Sequence, residues 1–145
     1  MRVDDQPMDG STCDRTQVAR ADAVPWLVRD VMVRRPKTLP GNATVGDARR
    51  FFVNPKMVTA LLVDAGTFVG VLERDDLPDA ASDSVPARDL TRRSVATISP
   101  DAGMHDALAE LDAKGGYRLV VLADDGETLA GLLCLDRLRS GFCRG

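Results

Sequence analysis

The feature that most constrains this chain is that its sequence runs through the same pattern twice. Residues 28–77 and 87–138 align end to end: Arg29-Asp30 falls on Arg88-Asp89, Thr38 on Thr97, Ala43 on Ala102, and Asp47-Ala48 on Asp106-Ala107. After one-residue slips, Asp64 and Gly66 fall on Asp124 and Gly126. Gly70, Leu72, Asp75 and Leu77 then fall on Gly131, Leu133, Asp136 and Leu138. Slips confined to loops, with register kept inside the apolar runs, mark one supersecondary unit used twice. A unit of about 50 residues buries too little apolar surface to stand alone. The copies are therefore expected to pack as a pseudo-twofold pair with clefts between them.

Each copy carries the same local signals. A short extended piece around Thr38 or Thr97 ends at a proline (Pro40, Pro100), and a helix follows. Met104, Ala107, Leu108 and Leu111 recur at helical spacing in the second copy, as Val45, Ala48, Phe51 and Phe52 do less regularly in the first. Thr44 with Asp47 three residues on resembles a capping box, and Asn54-Pro55 and Gly115-Gly116 are helix stops. Two aliphatic runs then flank Asp64-Ala65-Gly66, and again Asp124-Asp125-Gly126, the signal of a β-hairpin. The runs are continuous rather than alternating, so both faces are expected to be covered. A short closing helix is expected from Arg74 and again from Leu135. The unit is thus β-α-β-β-α, and the fold class α/β (α+β). The expected divisions are a flexible tail at 1–22, a first repeat at 23–80, a linker at 81–86, and a second repeat with a short C-terminal tail at 87–145.

Composition narrows the function. Nineteen Lys and Arg against 22 Asp and Glu give a net charge of −3, without the basic excess that nucleic acid or an anionic membrane asks for. Arg34-Arg35 and Arg92-Arg93 lack interleaved aromatics, which argues against a nucleic-acid surface. The longest aliphatic stretch, 57–63, is far short of a spanning helix, and the acidic start of the chain is unlike a signal peptide. A cytoplasmic address is the default. Three cysteines without CxxC spacing suggest neither a disulfide framework nor a zinc site. Cys134 reads as a buried small hydrophobe, and Cys13 and Cys143 as residues of mobile ends. His105, the single histidine, reads as solvated, so no metal or Ser–His–acid constellation is visible. Asp75-Asp76 reads as an acidic pair at a helix start. One of Phe51 and Phe52 should be core and the other available to an interface, and Trp26 should pack the lead-in against the module.

The segments Val28-Arg29-Asp30-Val31-Met32, Thr38, Thr44 to Ala48, the strand before Asp64-Ala65-Gly66, and Gly70-Val71-Leu72 running to Asp76-Leu77, repeated less closely in the second copy, resemble the CBS domain in its tandem form, the Bateman module. The resemblance covers about 110 residues of the chain. It implies a non-enzymatic regulatory module that binds an adenosine-type ligand (AMP, ADP, ATP or S-adenosylmethionine) between its repeats. It also implies a homodimer formed through the helices. With no room in the chain for a fused enzyme or channel, the module is expected to act on a separate protein. An alternative is a ligand-free scaffold that works through its dimer or partner surface.

The resemblance also assigns a site. The family's signature is Gly, two aliphatics, Ser or Thr, two variable residues, then a ribose-binding Asp. In the first copy it ends at Asp76 but carries Glu73 at the hydroxyl position, where a carboxylate would repel phosphate unless a base such as Arg74 neutralised it. In the second copy Cys134 replaces the hydroxyl and Arg137 the ribose Asp, and a guanidinium has no acceptor for ribose hydroxyls. Asp136, one place early, could substitute only if the turn slipped. Val95, Ala96 and Thr97 are the implied adenine wall, Tyr117 and Arg118 the implied phosphate end, and Arg137 a further phosphate cation. The pocket expected is Asp76, Thr97, Arg118 and Arg137, with Val95 and Tyr117 beside it and Glu73 the departing member.

Overall fold

The computed structural model describes residues 18–92, 95–136 and 138–143. The first repeat runs α2 (Val28–Val31), β2 (Thr38–Pro40), α3 (Val45–Phe51), β3 (Thr59–Asp64) and β4 (Thr67–Glu73). It follows a short lead of β1 (Val18–Ala19) and α1 (Arg20–Ala23). The second repeat opens with a 3-10 turn, Ala87–Leu90, and continues through β5 (Thr97–Ile98), α4 (Met104–Lys114), β6 (Arg118–Leu122), β7 (Leu129–Leu135) and β8 (Gly141–Cys143). In each repeat the first strand pairs parallel with the strand after the helix, Thr38 opposite Leu61 and Thr97 opposite Val120. The hairpin then adds an antiparallel strand. The result is a three-stranded sheet, β2-β3-β4, and a five-stranded one, β1-β8-β7-β6-β5.

The local signals act as chemistry dictates. Thr44 Oγ1 accepts from Asp47 N at 3.2 Å while Asp47 Oδ2 accepts from Thr44 N at 3.0 Å, so two donors at the start of α3 are satisfied. Those bonds, with Arg50 beside the carboxyl, hold the Asp47 pKa below its usual value. Helix α4 stops at Gly115, whose φ of 66° is left-handed. Both hairpins carry a bulge at the same place: the register shifts between Leu62 and Val63 and between Val121 and Leu122.

The repeats do not fold side by side; they exchange lead-in segments. Val28 and Val31, which precede the first sheet, are buried in the second repeat's core with Met104, Ala107, Leu111 and Leu133. Ala87, which opens the second repeat, is buried in the first core with Ala48, Phe52 and Leu72, and Leu90 packs against that core. Isolated backbone bridges obey the same exchange. Leu27 bridges Gly103 as Pro86 bridges Thr44, Val33 bridges Leu132 as Arg92 bridges Val71, and Thr67 meets its own counterpart, Thr128. A fourth cluster of Leu61, Phe68, Val71, Val120 and Leu132 lies where the two sheets meet.

Several expectations are corrected. The first closing helix is a single 3-10 turn, Arg74–Asp76, because Pro78 favours extended backbone at Leu77, which has φ −83° and ψ 113°. The second is replaced by a turn and β8, because buried Asp136 takes both Ser140 N and Ser140 Oγ at 2.7 Å and reverses the chain. Of the tail expected at 1–22, residues 18–22 fall in β1 and α1, with Val18 buried opposite Phe142, and residues 1–17 lie outside the described residues. The linker is docked, with Val85 O and Asp83 O accepting from Val45 N and Gly46 N at the start of α3. Cys143 is not in a mobile end. It is fully buried in β8 and disulfide-bonded, whereas Cys13 lies outside the described residues. Trp26 is 38% exposed, and its carbonyl accepts from Met104 N at the start of α4.

Candidate functional site

A cleft of about 330 Å³ opens at the junction of the repeats. Its floor is two cross-strand pairs, Leu61 opposite Val71 and Val120 opposite Leu132, which occupy equivalent places in the two copies. Two residues further along the same strands lie the polar pairs, Thr59 opposite Glu73 and Arg118 opposite Cys134. The copies therefore present a hydroxyl and a carboxylate on one side and a guanidinium on the other, while Cys134, 1% exposed, is not part of the lining. Val95-Ala96 and Gly116-Tyr117 complete the lining.

Thr59 is 2% exposed, and its hydroxyl donates to Glu73 Oε1 at 2.8 Å. Arg74 does not neutralise Glu73. Its guanidinium lies 5.1 Å from the Phe52 ring centroid and donates to the carbonyls of Asn54 and Met57. Across the cleft, burial pushes the Cys134 thiol pKa up, with Arg118 acting in the opposite direction. Tyr117 is half-exposed beneath the Arg139 guanidinium, 5.1 Å from its ring centroid, and Arg139 Nη1 donates to Gly116 O at 2.7 Å. Arg139 itself has a left-handed φ of 61° and ties the Gly116-Tyr117 corner to Leu111 and Asp112 at the end of α4.

The structure brings Glu73, Val95, Tyr117 and Arg118 into one cleft. Asp76 stands beside it, one turn beyond Glu73. Its Oδ2 accepts from Glu73 N at 3.0 Å, its Oδ1 pairs with Arg92 Nη2 at 2.5 Å, and its side chain is 12% exposed. Thr97 lies outside the cleft, in a separate depression with Ser99, Leu122 and Asp124. Two residues along a strand are about 6.6 Å of travel, which carries it past the wall that Val95 forms. Arg137 lies outside the described residues. In the second copy Asp136 is consumed by its turn and is no substitute acceptor, and β8 runs back along β7 with Cys143 opposite Cys134.

Sequence reasoning missed Thr59, Arg92 and Arg139. Thr59 could be found only with the bulge, since counting back from the Asp64–Thr67 turn without it pairs Thr59 with Leu72. The bridge of Arg92 to Val71 was readable as the counterpart of Val33 once the exchange is known. Nothing in the sequence signals the fold-back of Arg139.

A family model described as CBS domain matches the chain twice, over residues 28–83 and 87–142. An uncharacterized protein of Methanocaldococcus jannaschii is 27% identical over 107 residues, 73% of this chain and 36% of that protein, so the chain spans little more than a third of that relative. Solved structures that share the fold include the following three. CBSX2 in complex with AMP has a TM-score of 0.64 at 23% identity, covering 75% of this chain and 90% of that one. The cytosolic domain of the Mg2+ channel MgtE in complex with ATP has a TM-score of 0.64 at 20% identity, covering 80% and 48%. The CBS domains of a transcriptional regulator from Streptococcus pneumoniae have a TM-score of 0.66 at 17% identity, covering 75% and 92%.

Proposed function

This chain belongs to the CBS domain family, as a tandem pair, and on that premise we propose that it is a non-enzymatic regulatory module binding an adenine nucleotide or related adenosyl ligand in the cleft between its repeats. The observation that carries this reading is the cleft itself: an apolar floor from both copies with a few polar groups at its edges, the form of a small-molecule site. In this reading the purine lies on the floor of Leu61, Val71, Val120 and Leu132 against Val95, Asp76 accepts from the ribose hydroxyls, and Arg118, with Tyr117 beside it, meets the anionic end. Arg137 is proposed as an additional cation there. Solved neighbours hold AMP and ATP, which supports the ligand class. The module is further proposed to act as a cytoplasmic homodimer, joined through its helices, on a separate protein.

Thermal unfolding with AMP, ADP, ATP and S-adenosylmethionine tests the reading. A ligand at 100 times its Kd should add about 2.7 kcal/mol, equivalent to roughly 5–11 °C for a domain of this size. Asp76→Ala should abolish the shift; an equal shift in that variant, or none with any ligand, refutes the reading.

The second reading, a ligand-free scaffold, is favoured by one observation: both Asp76 oxygens are already engaged, by Arg92 and by Glu73 N. It requires that Arg92→Ala leave all four ligands without effect, whereas the sensor reading expects that variant to strengthen ribose binding.

A further inference from the structure

The cleft is lined by opposite charges on opposite walls. Among the described lining residues Glu73 supplies the one carboxylate and Arg118 the one guanidinium. Equivalent positions of the two repeats do not carry this pattern by symmetry: Glu73 corresponds to Cys134, and Arg118 to Thr59. The carboxylate is fixed in place, since Thr59, itself buried, donates to Glu73 Oε1 at 2.8 Å. The adjacent base that could cancel it, Arg74, is turned onto Phe52 and the carbonyls of Asn54 and Met57. A space of about 330 Å³ is small enough for an occupant to meet both walls.

We infer that Glu73 is a specificity-determining residue, and that the cleft selects adenosyl ligands that are neutral or cationic where they pass Glu73 and anionic where they reach Arg118. A plain nucleoside phosphate meets both charges at one end, where the repulsion of Glu73 offsets the attraction of Arg118. An adenosyl sulfonium that carries an amino acid places a cation and a carboxylate in the one molecule and satisfies both walls. This deepens the adenosyl-binding reading and rests on it.

The test is calorimetric titration of the full chain with adenosine, AMP and S-adenosylmethionine, for the wild type, Glu73→Gln and Arg118→Gln. The Gln carbonyl can still accept from Thr59, and melting curves report whether each variant is folded. Adenosine, which is uncharged, separates the two claims. In the wild type AMP should bind no tighter than adenosine, and S-adenosylmethionine tighter than both. Glu73→Gln should raise the AMP-to-adenosine affinity ratio by roughly 10- to 100-fold, as expected for removing one like charge from a partly dry site. Arg118→Gln should lower that ratio and weaken S-adenosylmethionine. If adenosine binds but its ratio to AMP is the same in the wild type and Glu73→Gln, the inference is wrong while the adenosyl reading stands. If none of the three binds the wild type, the inference is wrong, and if ADP and ATP also fail to bind, the adenosyl reading falls with it.

Discussion

Replacing Gly131 by alanine should damage the exchange of segments between the repeats more than its single methyl suggests. A Cβ built on Gly131 lies 2.6 Å from Met32 Sδ and 2.7 Å from Val33 O. The thioether can rotate away. The carbonyl cannot move alone, because it accepts from Leu132 N at 3.0 Å while Val33 N donates to Leu132 O at 2.8 Å. Relief therefore separates the lead-in strand from β7. The two bridge bonds contribute about 1 kcal/mol each, and overpacking adds roughly 1–3 kcal/mol, so the expected loss is at least about 3 kcal/mol. For a domain of this length that is roughly 6–12 °C in Tm, or a urea midpoint lower by about 1–2 M with little change in slope. Far-UV circular dichroism in urea measures it. Gly103→Ser is the control. A Cβ there meets nothing within 4 Å and the backbone is already extended at the N-cap of α4, so the change should lie within about 0.5 kcal/mol, on the stabilising side. A Gly131→Ala loss below about 0.5 kcal/mol would refute the claim that the lead-in is pinned on β7 by backbone contact.

Two further outcomes follow from single groups. The Asp125 carboxyl is held down to about 2 by the Thr128 hydroxyl and by backbone donors in the hairpin turn. A pKa lower in the folded state contributes stability that is present above the unfolded value and lost as pH falls toward the folded one. The urea-midpoint gap between wild type and Asp125→Ala should accordingly be full at pH 6 and shrink between about pH 4 and 2; a constant gap contradicts the assignment. Cys134 is 1% exposed, with its thiol pKa raised by burial. It should resist a disulfide reagent at pH 8 and react once denaturant is added, and rapid labelling of the native protein would show that β7 is not covered as described.

The two-copy architecture was legible because its signals are local. Asp-initiated turns, an apolar stripe at 3.6-residue spacing over Met104–Lys114, and the Thr44–Asp47 box each form without help from distant residues. The exchange of Val28 and Val31 for Ala87 was not legible, because an apolar lead-in looks the same whichever core receives it. The closing helix was misread at Arg74 despite Pro78, whose restriction on the preceding residue outweighs the helix-forming charges before it. Of the residues the resemblance named, Glu73, Val95, Tyr117 and Arg118 line the cleft between the repeats. Thr97 lines a separate depression, one pleat beyond Val95, and Thr59 was hidden by a bulge that changes its partner without changing the residue types around it. Arg139 depends on a left-handed backbone at a non-glycine residue, a conformation that only the surrounding bonds to Gly116, Leu111 and Asp112 enforce.

The most direct test of a shared adenosyl cleft is an amide-resolved NMR titration with adenosine. Saturable shifts concentrated at Thr59, Leu61, Val71, Tyr117, Arg118 and Val120, drawn equally from both repeats, are the predicted result. Shifts gathered instead around Thr97, Leu122 and Asp124, or none up to millimolar ligand, would contradict it.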